Sequence, residues 1–104
     1  MKISVIITNW NGLALLKKYL EKVILASPEA KEIILADDAS DDASVDFASN
    51  LKHQYPQLKI ITHQKNHGFS RNTNDAVKKA TGNLVVLLNN DIDPHPGYIT
   101  KCLK

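Results

Sequence analysis

Two short stretches of the sequence place carboxylates and amides directly after apolar runs. The first, "DDASDD", begins at Asp37, and the second, "NNDID", begins at Asn89. Carboxylates gathered at one place repel each other unless a cation lies among them, and a divalent metal is the usual solution. A bound metal can in turn hold a diphosphate. If the fold brings the two stretches together, they predict a metal-assisted site for an anionic ligand.

The first acidic stretch supports two readings. Asp41 and Asp42 stand just before a predicted helix, where acids serve as caps and favour the helix dipole, so we interpret them as structural. Asp37 and Asp38 come directly at the end of an apolar run, and a paired acid there is less easily explained by capping. We therefore expect at least one of Asp37 and Asp38 to bind a ligand.

The second polar stretch follows an apolar run and ends at a proline. Asp91 and Asp93 precede Pro94, so the segment could be a plain turn. The apolar run before them, however, indicates a buried strand, and polar groups at the tip of a buried strand are placed for binding. We therefore expect Asp91, and in second place Asp93, to contact a metal or a phosphate.

Four apolar runs provide the strands that must position these groups. The first, second and fourth runs are nearly continuous, as expected for parallel strands that are covered on both faces. The third run alternates more, which favours a position near the edge of the sheet. The predicted strands span residues 3–8, 32–36, 58–62 and 84–88.

The segments between the apolar runs have helical periodicity. Apolar residues at spacings of three and four form one stripe within 13–24, with Asn11 as its N-cap. A second stripe covers 43–55, and a third covers 76–80 with Gly82 as its C-cap. The order β-α-β-α-β-loop-α-β predicts an α/β fold, with an open, mostly parallel sheet of about four strands and helices on both faces.

Ligands of open parallel sheets bind outside the carboxyl ends of the strands, so the residues there are candidate site residues. The first strand leads into "TNWNG", where Trp10 either packs at the strand end or lines a ligand pocket. The third strand leads to Gly68, which is either a turn glycine or a point where the backbone approaches a ligand closely. We interpret Lys65 and Arg71 as solvated, and the four histidines show no metal-ligand spacing.

Composition limits the class of protein. A chain of 104 residues has room for one small domain, and 43% hydrophobic with 23% charged residues is ordinary for a globular chain. The net charge of +2 is too balanced to indicate a nucleic-acid partner. The single cysteine, Cys102, fits a reducing compartment, and no apolar run reaches the roughly 18–20 residues of a membrane span. We therefore expect a soluble, cytoplasmic chain with no transmembrane segment.

Three motifs resemble the family 2 glycosyltransferases, which have the GT-A fold, in both order and spacing. They read "ISVIITNWNG", "EIILADDASDDAS" and "NHGFSRNTNDAVKKATGNLVVLLNNDIDP". The third is most similar to the rhamnosyltransferase-type branch. The resemblance implies a GT-A (Rossmann-like) fold and transfer of a sugar, with inversion, from a nucleoside diphosphate donor of UDP or dTDP type. It also implies a glycan or lipid-linked acceptor and a role in cell-wall or polysaccharide biosynthesis. As an alternative to a purely cytoplasmic location, it implies a peripheral location at the inner face of the membrane.

The resemblance also implies roles for residues at the strand tips. The segment at Thr8 matches one that lies against the nucleotide, and Asp38 matches an acid that accepts a hydrogen bond from the imide N–H of the base. A carboxylate suits that contact because it only accepts. The implied nucleotide-sugar-binding residues are Thr8, Asn9, Trp10, Asp37, Asp38, Gly68, Asn89 and Asn90.

The stretch after the fourth strand matches the family's Asp-X-Asp motif, which binds Mg²⁺ or Mn²⁺ and, through the metal, the diphosphate. Here the motif reads Asn89-Asn90-Asp91, so the first acid is an asparagine. The resemblance implies Asp91 as the metal ligand, with Asp93, outside the motif, as a second ligand. The loss of one negative charge weakens the expected metal binding.

In this family, the catalytic base comes from a segment beyond the Asp-X-Asp strand, and the chain ends at Lys104. We expect residues 1–104 to be the nucleotide-sugar-binding part of a GT-A domain, with the C-terminal acceptor half absent and the base beyond Lys104. Tyr98, Ile99 and Leu103 are expected to be exposed where that half would cover them, which favours a homodimer. A truncated, catalytically inactive nucleotide-binding module is the alternative function.

Two other classes of small α/β protein fit the sequence less well. A receiver-type signalling domain would need an acid pair after the first strand and a phospho-accepting aspartate after the third. This chain has "TNW" and "TH" at those places. A related nucleotidyltransferase would need a Gly-rich basic loop after the first strand, and "NWNGLALLKK" is a poor match.

Overall fold

The computed structural model describes residues 2–102, which form four strands and four helices. The strands are β1 (Ile3–Asn9), β2 (Ala30–Asp37), β3 (Leu58–Thr62) and β4 (Leu84–Asn89). The helices are α1 (Leu13–Leu25), α2 (Ser44–Lys52), α3 (Phe69–Lys79) and α4 (Tyr98–Cys102). The sheet has the order β3-β2-β1-β4 and all its pairs are parallel. The predicted α/β fold is therefore confirmed, including the edge position of the third strand. The expectation that the fourth strand is covered on both faces is wrong, because β4 forms the other edge of the sheet, none of its residues is fully buried and Leu87 is 53% exposed. Within residues 2–102, none of the helices is long and apolar enough to cross a membrane.

Helices cover both faces of the sheet, as predicted. Successive side chains of a strand point to opposite faces. Val5 and Ile7 therefore belong to the larger core, which also contains buried side chains of α1, α2 and α4. Ile6 belongs to the smaller core, which contains Ala76 of α3. Because β1 is buried on both faces, its apolar sequence is nearly continuous rather than alternating.

The register of the sheet brings the carboxyl ends of the strands level with each other. Asn9 of β1 pairs with Asp37 of β2, and Asp37 pairs in turn with Thr62 of β3. On the other side of β1, Thr8 pairs with Asn89 of β4. The polar segments that follow these strands therefore start from one edge of the sheet.

The start of α1 differs from the prediction. Gly12, not Asn11, is the N-cap residue, and Asn11 has a positive φ of 50°. The Asn11 Oδ1 instead accepts a hydrogen bond from the backbone N–H of Asp41 at 2.7 Å. The first free N–H of the helix, that of Leu13, donates to Asp42 Oδ2 at 3.1 Å. A side chain from the loop after β2 thus performs the capping that the local sequence assigned to Asn11.

The start of α3 also differs, because the helix begins at Phe69, ahead of the predicted stripe at 76–80. Its first part buries Asn72 and Thr73 rather than apolar residues. The Asn72 Nδ2 donates to the backbone oxygen of Ala36 at 2.9 Å, which ties the helix to β2. Apolar periodicity cannot reveal a helical turn that is buried through polar side chains.

The ends of α2 and α3 correct two further expectations. α2 ends at Lys52, before Tyr55, although Tyr55 still packs against the larger core. Ala80, not Gly82, is the C-cap residue of α3. Gly82 is required for a different reason: a Cβ at this position would lie 2.6 Å from Ser4 Oγ and 2.7 Å from Ser4 N. The glycine therefore allows the segment before β4 to approach β1.

The expected exposure of the last helix is wrong. Ile99 is fully buried in the larger core, and Tyr98 packs against the same core. The Tyr98 hydroxyl lies 2.7 Å from Ser27 Oγ, just after α1. α4 therefore covers the sheet itself instead of presenting an apolar surface, and Leu103 lies outside the described residues.

A buried acid that the sequence reading missed lies toward the amino ends of the strands. Glu32 is 1% exposed, and it accepts hydrogen bonds from Ser4 Oγ at 2.6 Å and from the backbone N–H of Thr81 at 2.7 Å. Lys59 Nζ lies 2.6 Å from its other oxygen. Burial opposes ionisation of Glu32, but the hydrogen bonds from Lys59, Ser4 and Thr81 outweigh it and lower its pKa from 4.5 to about 2.

Candidate functional site

A cavity of about 780 Å³ opens at the carboxyl edge of the sheet. Its volume lies within the range of pockets that bind small molecules. Eight of the ten candidate residues line it, and Asp37 and Asp93 do not. The lining residues are Thr8, Asn9, Trp10, Asp38, Asn66, Gly68, Phe69, Asn72, Asn89, Asn90 and Asp91.

Asp38 connects the tip of β2 to the loop before α3. Its side chain is buried, and its two oxygens accept hydrogen bonds from the backbone N–H of His67 at 2.9 Å and of Gly68 at 2.7 Å. A carboxylate has about four lone-pair directions, so each oxygen can still accept one more donor. Asp38 therefore has both a structural role and free acceptor capacity at the cavity.

Gly68 has a backbone conformation that only glycine adopts without strain. Its φ of 89° and ψ of 164° place it in a region that is essentially restricted to glycine. No atom lies within 4 Å of the position of an added Cβ, so space does not explain the glycine. The conformation turns its N–H to Asp38, and the residue lines the cavity at the start of α3.

An amide chain, formed by Asn90, Asn9, Asp37 and Ser40, connects the tips of β4, β1 and β2. The Asn90 Nδ2 donates to Asn9 Oδ1 at 2.9 Å, and the Asn9 Nδ2 donates to Asp37 Oδ1 at 2.9 Å. Asp37 also accepts from the backbone N–H of Ser40 at 2.9 Å and from its hydroxyl at 2.6 Å. Asp37 is 1% exposed and does not line the cavity, so it supports the chain from within the protein.

Gly12 packs over this amide chain, which gives it a function that the sequence reading did not assign. A Cβ at Gly12 would come too close to Asn90 Nδ2 and would lie 2.5 Å from Asn9 Oδ1. Any larger residue would push these two amides apart. The position of the glycine directly after "NWN" was the available sequence signal. The residue that it approaches, Asn90, is far away in the sequence, so the contact could not be predicted locally.

Asp91 and Asp93 are in different surroundings, although one residue separates them. Asp91 is exposed and lines the cavity next to Asn89. Asp93 lies outside the cavity, and its Oδ2 is 3.7 Å from Lys22 Nζ on α1. This geometry does not support a metal-binding role for Asp93. The predicted roles of Asp91 and Asp93 as metal ligands both stay predictions.

The donor set at the cavity fits a metal that the substrate completes. Among residues 2–102, no group of three or more His, Cys, Asp or Glu side chains could hold a metal ion. Mg²⁺ is commonly held by one or two carboxylates together with substrate phosphates and water, rather than by a cage of protein ligands. Asp91 and Asn89, which line the same cavity, are the residues that would contribute to such a partial site.

Asp42 has the structural role that was expected of it, and the same expectation for Asp41 stays a prediction. Its carboxylate accepts hydrogen bonds from the backbone N–H groups of Leu13 and Ser44, at the starts of α1 and α2. Burial opposes its ionisation, but the hydrogen bonds from Ser44 and Leu13 lower its pKa below the ordinary value. One acid thus caps two helices that flank the site.

Two exposed aromatic side chains line the cavity. Trp10 is 57% exposed and Phe69 is 63% exposed. Of the two interpretations of Trp10, the structure supports the one in which the side chain lines a pocket, because its ring does not pack in the core. Phe69, Asn66 and Asn72 were missed by the sequence reading, and the "NHGF" loop with the helix that follows it was the only available signal.

His63 is a further residue that the sequence reading left without a function. It follows β3 directly, and its Nε2 lies 2.9 Å from Asp75 Oδ2 on α3. Its Nδ1 lies 3.6 Å from Asp38 Oδ1. Arg71 is exposed, with its Nε 4.0 Å from Asp75 Oδ2, in agreement with the interpretation that its charge is solvated.

An open parallel sheet with a cavity at its carboxyl edge is the arrangement in which α/β proteins bind ligands, and the topology of this sheet is that of the GT-A fold. Residues 4–104 match the model of the family described as Glycosyl transferase family 2. The chain belongs to this family of enzymes.

Curated relatives agree with this assignment. The uncharacterized glycosyltransferase YwdF of Bacillus subtilis is 33% identical over 106 residues, which cover 100% of this chain and 38% of the relative. The poly(ribitol-phosphate) beta-glucosyltransferase of Bacillus spizizenii is 32% identical over 94 residues, which cover 88% of this chain and 15% of the relative. The chain thus spans well under half the length of these relatives.

Solved structures share the fold. The mannosyltransferase PcManGT of Pyrobaculum calidifontis, solved in complex with GDP-Man and Mn²⁺, has a TM-score of 0.88 and 20% identity, over 98% of this chain and 31% of that one. S. aureus TarS in complex with UDP-GlcNAc has a TM-score of 0.85 and 22% identity, over 99% of this chain and 30% of that one.

Proposed function

We propose that this chain is the donor-binding part of an inverting glycosyltransferase, and that its cavity holds a nucleoside diphosphate sugar. The observation that carries the proposal is that eight candidate residues line one cavity at the carboxyl edge of the sheet. The membership in the glycosyltransferase family gives the reaction class. The rhamnosyltransferase-type branch and a role in cell-wall or polysaccharide biosynthesis are further predictions from the sequence motifs.

Asp38 is proposed to recognise the base. Its oxygens retain acceptor capacity after binding two backbone N–H groups, and an imide N–H of uracil or thymine can complete it. Guanine also presents N–H donors, and PcManGT was solved with GDP-Man. The titration described below therefore compares uracil, thymine and guanine nucleotides. Trp10 and Phe69 offer exposed rings on which a base or a sugar can stack.

Asp91 and Asn89 are proposed to hold the diphosphate end through Mg²⁺ or Mn²⁺. When bound, the metal would neutralise charge that develops on the departing diphosphate. Asp91 supplies the carboxylate, and the amide chain holds the neighbouring Asn90 in place. The Mn²⁺ in the complex of PcManGT supports a divalent ion, although that protein shares only the fold with this chain.

The acceptor half of the reaction is proposed to lie outside residues 1–104. In this proposal, a carboxylate beyond Lys104 deprotonates a hydroxyl of a glycan or lipid-linked acceptor. General-base assistance contributes about 10² to 10⁴ in rate. The chain alone is therefore expected to bind a donor without measurable transfer.

A nucleotide-binding module without transferase activity is the second candidate function. The observation that favours it is Asn89, which stands where the family motif has its first acid and leaves one carboxylate for a metal at the cavity. This candidate predicts nucleotide binding that does not depend on a metal.

Titration calorimetry with UDP, dTDP and GDP, each with and without Mn²⁺, tests the proposal. Metal-dependent binding of one nucleotide is expected and names the base. Binding without metal dependence would favour the second candidate, and failure of all three nucleotides to bind would refute donor binding. Asp93→Asn is the matched control for Asp91→Asn, since it removes the same charge outside the cavity.

A homodimer and a cytoplasmic or membrane-peripheral location stay predictions. The burial of Ile99 removes one reason for the dimer. The exposed side chain of Leu87, which does not line the cavity, provides another apolar contact for association. Light scattering over a range of concentrations measures the oligomeric state directly.

A further inference from the structure

His63 lies between two carboxylates that come from different elements. Asp38 follows β2, and Asp75 belongs to α3. The His63 Nε2 is 2.9 Å from Asp75 Oδ2, its Nδ1 is 3.6 Å from Asp38 Oδ1, and its side chain is 13% exposed. The imidazole therefore bridges the acid that is proposed to recognise the base and an acid on the helix behind it.

The hydrogen-bond chemistry of this bridge fixes one of the two ring protons. A carboxylate only accepts, so the His63 Nε2 must carry the hydrogen that it donates to Asp75. This hydrogen bond holds the pKa of Asp75 below its ordinary value, against a smaller opposing effect of burial. The Nδ1 is then bare when the ring is neutral and carries a proton when the ring is charged.

The Nδ1 is the part of the bridge that is incomplete. It is a buried atom without a hydrogen-bond partner among the described residues, and Asp38 Oδ1 faces it at 3.6 Å. In the neutral ring, a nitrogen lone pair faces a carboxylate, which is repulsive. In the charged ring, an N–H faces the same carboxylate, and a small movement would complete a charge-assisted hydrogen bond.

Asp38 transmits this difference to the cavity. Its two oxygens hold the backbone N–H groups of His67 and Gly68, and Gly68 lines the cavity. A carboxylate that is drawn toward His63 keeps the loop 66–68 in place, whereas one that is repelled loosens it. The proton on His63 also offsets one negative charge near a cavity that is proposed to bind an anion.

We infer that His63 is a positioning residue that couples its own protonation to the Asp38 contact with loop 66–68, and thereby tightens binding of a nucleotide sugar as the pH falls. This inference rests on the proposed function, because it assumes that the cavity binds a nucleotide sugar. It adds a regulation of the site by pH.

Other charged groups around His63 modify the coupling without replacing it. Arg71 and Lys78 on α3 act on Asp75, which stays ionised beside His63. His67 places its ring perpendicular to that of His63, with the centroids 5.2 Å apart. His67 is exposed and makes no ion pair within residues 2–102, so it provides a matched control.

The first experiment measures the affinity for UDP-GlcNAc in constant excess Mg²⁺. This ligand has no phosphate proton that titrates near neutral pH, so it adds no pH dependence of its own. From about pH 8 to about pH 5.5, the interval in which histidines change charge, the parent is expected to bind roughly fivefold tighter. His63→Gln should abolish this change, and His67→Gln should keep it.

The second experiment follows the amide resonance of Gly68 by NMR in the free His67→Gln protein, in which no second imidazole lies beside His63. The resonance is expected to shift as His63 is protonated, and to stay constant in the double variant His63→Gln/His67→Gln. A loss of affinity in His63→Gln that is equal at every pH would indicate a merely structural role and would overturn the inference.

The two readouts separate this inference from the proposed function. If UDP-GlcNAc binds with the same pH dependence in the parent and in His63→Gln, the coupling is refuted and donor binding stands. If UDP-GlcNAc at every pH and the three nucleotides of the calorimetry all fail to bind, donor binding is refuted and the inferred regulation falls with it. A Gly68 amide resonance that does not change as His63 is protonated would refute the coupling through Asp38.

Discussion

The two ends of the sheet each bury a carboxylate, but the surroundings of the two acids differ. Glu32, toward the amino ends, is 1% exposed and is paired with a lysine, a serine and a threonine. Asp38, at the carboxyl ends, is 3% exposed, accepts from two backbone N–H groups and faces a cavity. Burial alone therefore does not distinguish a structural acid from one that is available to a ligand.

The difference lies in how the charge is compensated. Burying an ion costs several kcal/mol unless a partner and hydrogen bonds offset the loss of water. Lys59 supplies the partner for Glu32, so the site is complete within the protein. Asp38 has a histidine beside it whose charge depends on pH, and its remaining acceptor capacity can be used by a ligand.

The largest expected effect is the loss of the Glu32 charge. Glu32→Gln leaves Lys59 without its ion pair and puts an amide N–H group against donors, so we expect a loss of about 3–4 kcal/mol in the free energy of unfolding. Urea denaturation measures it. Glu29→Gln is the matched control, because Glu29 is exposed, and it should change stability by less than about 0.5 kcal/mol. Nucleotide binding by the folded Glu32→Gln protein should match the parent.

The same acid predicts a pH dependence of stability. The pKa of Glu32 is lowered to about 2 in the folded protein from 4.5, so the folded state favours the ionised form. The stabilisation is complete above pH 4.5 and is lost as the pH falls from there toward 2. Integration of this shift gives up to about 3 kcal/mol. Denaturation curves at several acidic pH values should show a steeper loss in the parent than in Glu32→Gln.

At the other end of the sheet, Asp38→Ala should weaken binding of the preferred nucleotide by about 1.5–3 kcal/mol, the contribution of a hydrogen bond to a charged group. Some stability should be lost as well, since two backbone N–H groups lose their acceptor. Calorimetry on the folded variant measures the affinity. Asp41→Ala, in the same loop but exposed, should bind like the parent, and an unchanged affinity in Asp38→Ala would exclude the base contact.

The smallest expected effect concerns the metal. Asp91→Asn should remove the dependence of nucleotide affinity on Mn²⁺, a loss of about 1–2 kcal/mol, while a weak metal-independent affinity remains. Asn89→Asp should tighten metal binding, because hard divalent cations favour an added carboxylate. Asp93→Asn should behave like the parent in the same titrations. Full metal dependence in Asp91→Asn would mean that the stretch after β4 is only a turn.

Local patterns in the sequence predicted much of the fold. Continuous apolar runs identified β1 and β2 as strands buried on both faces, and the alternating run identified β3 as an edge strand, because burial on one or two faces is encoded residue by residue. The continuous run of β4 located that strand but not its place, since β4 is the other edge of the sheet and Leu87 is 53% exposed. The prediction failed where burial is polar. The first part of α3 is buried through Asn72 and Thr73, and Glu32 is a charge inside an apolar run.

The sequence by itself determined the order of the elements and the polar character of the strand tips, since both depend on neighbouring residues. Only the tertiary structure decided which acids face the cavity. Asp37 turns to Asn9 while Asp38 turns to the loop before α3, and Asp93 turns to Lys22 on α1. The position of His63 between two distant acids depends likewise on the packing of α3. Side-chain direction at a strand end is set by register and by partners that are far away in sequence, so no local pattern encodes it.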